Sequence, residues 1–167
     1  LTLFSLLLSG CARSPADTGS EPPLPQECRP CDEGFYLEGG APLDEVALCT
    51  TIAGDLYIVD DPELVALELP CLESVEGNLA LRGNSALASL EGLSGLTHVG
   101  GYLSIQYAHG LTGLQGLEHL TTVGMGLSLF GNDGLVDLDG LSGLETVDGY
   151  VRIGDHDSLT SLQGLAG

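Results

Sequence analysis

The chain has 167 residues, and 24 acidic against 4 basic side chains give it a formal net charge of −20. The basic residues are Arg13, Arg29, Arg82 and Arg152. Such a surface repels phosphate backbones and anionic headgroups, which argues against nucleic acid as a partner. The chain is 43% hydrophobic but only 5% aromatic, with 25 glycines and no tryptophan. A hydrophobic core with so few aromatic side chains indicates many similar narrow layers of residues and not one broad core.

The amino terminus combines an apolar run, Leu1 to Leu8, with Ser9-Gly10-Cys11. This segment resembles a bacterial lipobox, in which the cysteine is acylated and becomes the first mature residue. The apolar run is too short to span a bilayer, which needs about 20 residues. Residues 1–11 are therefore interpreted as a truncated lipoprotein signal peptide with Cys11 as the lipid attachment site. The alternative is an ordinary cleaved signal with a coincidental cysteine.

Residues 12–27 are rich in Pro, Ser, Gly and charge, a composition that cannot bury apolar surface. They are predicted to form a disordered tether. In lipoproteins, an Asp directly after the acylated cysteine favours retention in the inner membrane. Here that residue is Ala12, so the resemblance implies a lipid anchor in the outer membrane, with the protein at the cell surface.

Four further cysteines, Cys28, Cys31, Cys49 and Cys71, are predicted to form two disulfides, because an exported protein folds in an oxidising compartment. A zinc site at Cys28 and Cys31 is the weaker alternative, since no second metal-binding pair follows. The pairing stays open. Cys49 and Cys71 lie about one repeat apart, and the Cys28/Cys31 segment could equally fold over the first repeat and pair with both. Residues 28–51 are predicted to be an N-terminal cap that contains a short helix near residues 40–49.

Residues 52–167 carry a repeat of 23 or 24 residues. An apolar pair in alternation recurs as Leu56/Ile58, Leu79/Leu81, Leu103/Ile105, Leu127/Leu129 and Val151/Ile153. After the later pairs, leucines recur at every third residue, as in Leu111, Leu114, Leu117 and Leu120, and the first coil is one residue shorter. On an α-helix that spacing would spread the leucines around the axis, and the glycines between them also disfavour a helix. The pattern predicts an all-β solenoid with one short strand per coil, its strands stacked in a parallel sheet. Because Gly167 falls in mid-coil, the solenoid is expected to be incomplete at its carboxyl end.

The segments Cys49 to Ile58 and Leu93 to Ile105 resemble the receptor L-domain family, which includes ligand-binding domains of growth-factor receptors and many bacterial surface lipoproteins. The resemblance covers residues 43–167. It implies a right-handed β-helix related to leucine-rich repeats, with a cysteine-bearing helical cap and no catalytic residues. Asn84 and Asn132 resemble the asparagine of leucine-rich repeats. The equivalent positions hold Asp61, Ala108 and His156, so a horseshoe with a continuous asparagine ladder is the second choice.

These features predict a non-catalytic, lipid-anchored surface protein that presents its repeats for recognition of a protein or a glycan. A purely structural envelope protein is one alternative. A polysaccharide-acting enzyme is another, but it would need clustered carboxylates for calcium beside an Arg or Lys base, and Arg82 and Arg152 fall on different ladders. Tyr102 and Tyr150 share a ladder and could contribute to a binding face.

No cofactor is predicted. The acidic turns Asp60–Glu63 and Asp155–Asp157 could bind calcium but are better interpreted as solvated turns. The four histidines share no ladder and are interpreted as surface residues: His98, His109, His119 and His156.

Overall fold

The computed structural model describes residues 27–166. Cys11, the signal peptide and nearly all of the proposed tether lie outside the described residues. Twelve strands follow one another along the chain: β1 (Arg29–Cys31), β2 (Phe35–Glu38), β3 (Cys49–Ile52), β4 (Leu56–Val59), β5 (Ser74–Val75), β6 (Leu79–Arg82), β7 (His98–Val99), β8 (Tyr102–Gln106), β9 (Thr122–Val123), β10 (Gly126–Phe130), β11 (Thr146–Val147) and β12 (Tyr150–Gly154).

The strands form two parallel six-stranded sheets. The even-numbered strands build the main sheet and the odd-numbered strands the minor sheet. In the main sheet Leu127 pairs with Leu103 on one side and with Val151 on the other, one repeat away in each direction. The all-β solenoid with coils of about 24 residues is therefore confirmed. The expectation of one strand per coil is wrong, because each coil contributes one strand to each sheet. The minor-sheet strands are mostly two residues long, which is too short to show alternation in the sequence.

The leucine columns form one continuous core. Leu93, Leu117 and Leu141, equivalent residues of successive coils, are all fully buried. Burial depends on a coil at each side: Leu127 is 0% exposed, whereas its register partner Val151, in the last described coil, is 49% exposed. Each fully buried leucine contributes about 1.5–3 kcal/mol. The coils consequently stabilise one another through the contacts between layers.

Short 3₁₀ turns form one corner of the coils, and a glycine lies inside several of them. These turns are Val46–Leu48, Glu91–Leu93, Asp139–Leu141 and Gln163–Leu165. A Cβ atom at Gly140 would collide with the carbonyl oxygen of Leu114 in the preceding coil, and one at Gly116 would collide with that of Leu90. The glycines seen in the leucine runs are therefore required by close approach of backbone to backbone. No α-helix occurs between residues 27 and 166, and no helix there is long and apolar enough to cross a membrane.

Residues 28–51 form a layer of the solenoid and not the predicted helical cap. β1 pairs with β3, and β2 pairs with β4 in register, so that Phe35 and Leu37 continue the columns of Leu56 and Ile58. The only helical element in the segment is the single 3₁₀ turn Val46–Leu48. The repeat pattern does not reveal this layer, because Phe35 lies only 21 residues ahead of its partner Leu56 and Cys31 stands in a column that otherwise holds Ile and Val.

The two disulfides are Cys28–Cys71 and Cys31–Cys49, with Cα atoms 5.7 Å and 5.5 Å apart. The structure thus selects the alternative in which the Cys28/Cys31 segment folds over the first repeat and pairs with both remaining cysteines.

Buried amides join successive coils just after the main-sheet strands. Nδ2 of Asn132 donates to the carbonyl of Ile105 at 2.9 Å, and its Oδ1 accepts from the amide of Ala108 at 3.0 Å. Asn84 makes the same two bonds two repeats earlier, to Ile58 and Asp61.

The imidazole of His156 takes the asparagine's place in the last described coil. Its Nε2 lies 3.2 Å from the carbonyl oxygen of Leu129, and its Nδ1 lies 3.2 Å from the amide nitrogen of Asn132. With the hydrogen on Nε2, the ring reproduces the donor and acceptor of an amide. The interpretation of His156 as an ordinary surface residue is therefore wrong.

Candidate binding face

The outward side of β8, β10 and β12 carries a cluster of aromatic and uncharged polar residues. We call it the aromatic face and define it by Tyr102, Ser104, Gln106, Tyr107, Ser128, Phe130, Tyr150 and Arg152. The three five-residue strands contain no Asp or Glu, although the chain has 24 acidic residues. Arg152 is the one charged residue in these strands. The aromatic face is thus a neutral to weakly basic area on a strongly acidic protein.

Tyr102 and Tyr150 form the first part of this face. They occupy the same column of the main sheet, and Gly126 lies between them. Their ring centroids are 5.7 Å apart with an interplanar angle of 36°. The tyrosines are 40% and 53% exposed, so both rings remain accessible to a ligand. The two rings meet above the glycine and form one exposed surface, and their contribution to a binding face stays a prediction.

The backbone beneath Tyr102 is held by the preceding coils. The amide of Tyr102 donates to Oδ1 of Asn78 at 2.9 Å. Nδ2 of Asn78 in turn donates to Oδ1 of Asp55 at 3.0 Å, and the amide of Asn78 donates to the same oxygen at 2.7 Å. This chain of side chains fixes the start of β8. A fixed backbone limits the ordering that ligand binding requires of Tyr102.

Tyr107 forms the second part of the face, at the opposite end of the strands. It has a φ of 56°, a left-handed conformation that costs a non-glycine residue about 1–2 kcal/mol. Equivalent positions in the neighbouring coils are Gly83 and Gly131, both with positive φ. The Tyr107 ring lies against Gly131 and meets Phe130 edge-on at 6.2 Å. Asp60 and Asp155 of the same column are also left-handed, so Tyr107 is distinguished by its exposed ring and not by its backbone.

Arg152 and Phe130 form a cation–π pair beside Tyr107. The guanidinium carbon lies 4.7 Å from the centroid of the Phe130 ring. No carboxylate in the described part of the chain lies within ion-pair distance of Arg152. The stacking orients the guanidinium on the sheet, and its donors are not taken up by an acidic neighbour.

Three uncharged polar side chains connect the two aromatic parts. Nε2 of Gln106 lies 2.8 Å from Oγ of Ser104 and 3.3 Å from Oγ of Ser128. Because both hydroxyl oxygens accept from Gln106, the hydroxyl hydrogen of half-buried Ser104 stays available as a donor. Ser128 is 7% exposed and serves mainly to hold Gln106.

The other sequence-derived candidates are dispersed. Arg82 pairs with Gln106, and Arg152 with Ser128, so the two arginines lie on different columns as the register predicts. Oδ1 of Asp61 accepts from the amides of Glu63 and Leu64, which ties this acid to its own turn. Within residues 27–166, no group of three or more His, Cys, Asp or Glu side chains is arranged to hold a metal ion.

A second tyrosine pair lies at the far end of the main sheet. Tyr36 and Tyr57 have centroids 5.8 Å apart, and Tyr36 is 66% exposed. Its neighbours differ from those of the aromatic face: Glu38 lies on the same strand, and Ala80 follows Tyr57 in the column. Nδ2 of Asn78 donates to the Tyr57 hydroxyl at 3.3 Å, but the column that holds Gln106 in β8 holds Glu38, Val59 and Arg82 beside this pair.

The repeat spacing places Tyr102 and Tyr150 in one column but does not place Tyr107 and Phe130 on the same face. The position of Tyr107 can be recognised in the sequence, because this residue interrupts a column of the repeat that otherwise holds glycine or aspartate. Phe130 follows from the register, since it pairs with Gln106 and Gly154.

Comparison with the models of known protein families, with curated proteins and with solved structures finds no match for this chain. The resemblance to receptor L-domains stays a prediction from the repeat pattern.

Proposed function

We propose that this protein is a non-catalytic recognition protein, anchored by lipid at Cys11 to the outer membrane and displayed at the cell surface. The observation that carries the proposal is the aromatic face: exposed tyrosines and neutral polar groups on acid-free strands of an otherwise acidic chain. Exposed aromatic residues clustered on a rigid surface are typical of binding sites.

The fold favours binding without large rearrangement. The ligand-facing side chains come from three neighbouring strands of a parallel sheet, and fully buried leucine and isoleucine side chains lie directly behind β8 and β10. Such a surface is preorganised, so little free energy is lost in ordering it on binding. Residues 12–27 would hold the solenoid away from the lipid surface, which leaves the sheet open to ligands.

The anchoring is tested by fractionation of cells that express the full chain. We expect the protein in the outer-membrane fraction, where added protease reaches it on intact cells. Cys11→Ser should move it to the soluble fraction, because two or more acyl chains give a membrane affinity that the chain otherwise lacks. Unchanged fractionation of Cys11→Ser would contradict the lipid anchor.

Recognition is tested with the soluble Cys11→Ser protein, labelled and added to intact bacterial cells. We expect saturable binding that is lost when Tyr102 and Tyr150 are both replaced by Ala. A variant with Val136→Ala, at an exposed apolar residue away from the aromatic face, serves as the matched control. Equal binding by the double variant would rule out the aromatic face as the recognition surface, and no saturable binding by the parent Cys11→Ser protein would favour a purely structural envelope role.

A further inference from the structure

The dimensions of the aromatic face limit the class of ligand. Four residue steps separate the columns of Tyr102 and Gln106, which is roughly 13 Å at 3.3 Å per residue. Three strands at about 4.8 Å spacing give about 10 Å across. This area is far below the ~800 Å² that each partner contributes to a typical stable protein–protein interface. A short linear ligand fits the face better than a folded protein does.

The charge distribution of the protein limits the class of ligand further. A net charge of −20 repels anionic ligands, and the face itself offers one cation, Arg152, which is stacked on Phe130. Sulfated or uronate-rich glycans would have to approach against that potential. A neutral ligand is not repelled by this negative potential.

The side-chain chemistry then indicates what a neutral ligand must present. Aromatic rings carry negative faces, which attract weakly positive C–H groups. A pyranose with equatorial substituents has axial C–H bonds on its flat faces and hydroxyls around its edge. The Tyr102/Tyr150 pair offers the rings, while Ser104 and Arg152 offer donors to the hydroxyls.

On the basis of the proposed recognition function, we infer that the aromatic face binds a neutral oligosaccharide of β-linked pyranoses with equatorial substituents. The sugar rings lie along the strands, from Tyr102 and Tyr150 towards Tyr107. The left-handed Tyr107 places a third ring at the far end of this path.

The test is calorimetric titration of the soluble Cys11→Ser protein with cellohexaose and with chitohexaose. We expect one or both to bind with a Kd of about 0.01–1 mM, at the weak end of the affinity scale. Hexagalacturonate, a uronate oligomer of the same number of sugar units, should bind at least about tenfold more weakly because of the charge.

Substitutions of single tyrosines test where the oligosaccharide binds. Tyr102→Ala and Tyr150→Ala should each weaken binding by about five- to tenfold, the effect of one aromatic contact. Tyr102→Phe keeps the ring and should stay within about threefold of the parent protein. Tyr36→Ala removes a more exposed tyrosine from the other end of the main sheet and should leave binding unchanged. The thermal midpoint of each variant shows whether a loss reflects unfolding.

The outcomes separate the two proposals. If the protein binds cells through Tyr102 and Tyr150 but neither neutral hexasaccharide binds or competes, the glycan inference is overturned and recognition stands, with a protein as the ligand. Equal binding of hexagalacturonate would overturn the assignment of a neutral ligand. Loss of hexasaccharide binding in Tyr36→Ala but not in Tyr102→Ala would overturn the location.

Discussion

The rings of Tyr102 and Tyr150 lie 5.7 Å apart although their strands are not neighbours, because the residue between them in the sheet is Gly126. A Cβ atom at Gly126 would lie 2.9 Å from the carbonyl oxygen of Tyr150 and 3.2 Å from its ring. The glycine in the middle strand therefore sets the spacing of two side chains in the strands on either side.

Gly126→Ala should move the Tyr150 ring and lower the free energy of unfolding by about 1 kcal/mol, since packed backbone must also shift. We expect a changed near-ultraviolet circular dichroism spectrum of the tyrosines. Gly154→Ala is the control, because its Cβ would lie 3.6 Å from Phe130, an ordinary contact. Identical spectra for Gly126→Ala and the parent protein would contradict the contact between the rings.

Substitutions at Tyr107 should reveal its left-handed backbone. Tyr107→Ala removes the ring but keeps a Cβ in an unfavourable conformation, whereas Tyr107→Gly also relieves that strain. We expect the Gly variant to be more stable than the Ala variant by about 1 kcal/mol, measured by urea unfolding. At positions with negative φ, the Ala variant is normally more stable than the Gly variant, because glycine is the more flexible residue in the unfolded chain. An Ala variant as stable as the Gly variant would show that Tyr107 is not left-handed.

At Asn132 and His156 the side chain should both donate and accept, because each of them bonds a carbonyl and an amide of the preceding coils. Asn132→Ala leaves the carbonyl of Ile105 and the amide of Ala108 without their partner, and we expect a loss of about 2–5 kcal/mol. At the equivalent position, His156→Asn should change the free energy of unfolding by less than about 0.5 kcal/mol, while His156→Leu should lower it by about 1–3 kcal/mol. Equal stability of the Asn and Leu variants would show that His156 does not act as an amide substitute.

The two disulfides should contribute unequally. Sequence separations of 43 and 18 residues correspond to about 4 kcal/mol for Cys28–Cys71 and about 3 kcal/mol for Cys31–Cys49 in the chain-entropy description. Replacing both cysteines of a pair by Ser avoids a free thiol, and urea unfolding measures each loss. Cys11→Ser is the control and should unfold like the parent protein. A loss below about 1 kcal/mol for either pair would contradict the expected stabilisation.

The leucine columns could be predicted from sequence because the same spacing recurs in every coil. Leu93, Leu117 and Leu141 share one environment, so each repeat reports on the others. The first layer could not be predicted in this way. Phe35 and Leu37 lie in a shorter coil with different side chains, and only the pairing of β2 with β4 reveals their place in the stack.

The aromatic face could be predicted only in part, for a related reason. The shared column of Tyr102 and Tyr150 follows from repeat spacing alone. The contact between Arg152 and Phe130 depends on how long side chains lean across adjacent columns, which spacing does not specify. Likewise, the inward turn of His156 depends on the backbone groups that it meets, the amide of Asn132 and the carbonyl of Leu129.

The bond between Cys28 and Cys71 also has a mechanical consequence. A pull exerted through the residues before Cys28 passes directly to the corner that precedes β5, two layers into the solenoid. β1 and β2 are thereby relieved of the load and need not peel from their neighbours one hydrogen bond at a time. A protein that is dragged by its amino-terminal end would resist shear with the strength of its interior coils and not with that of its outermost layer.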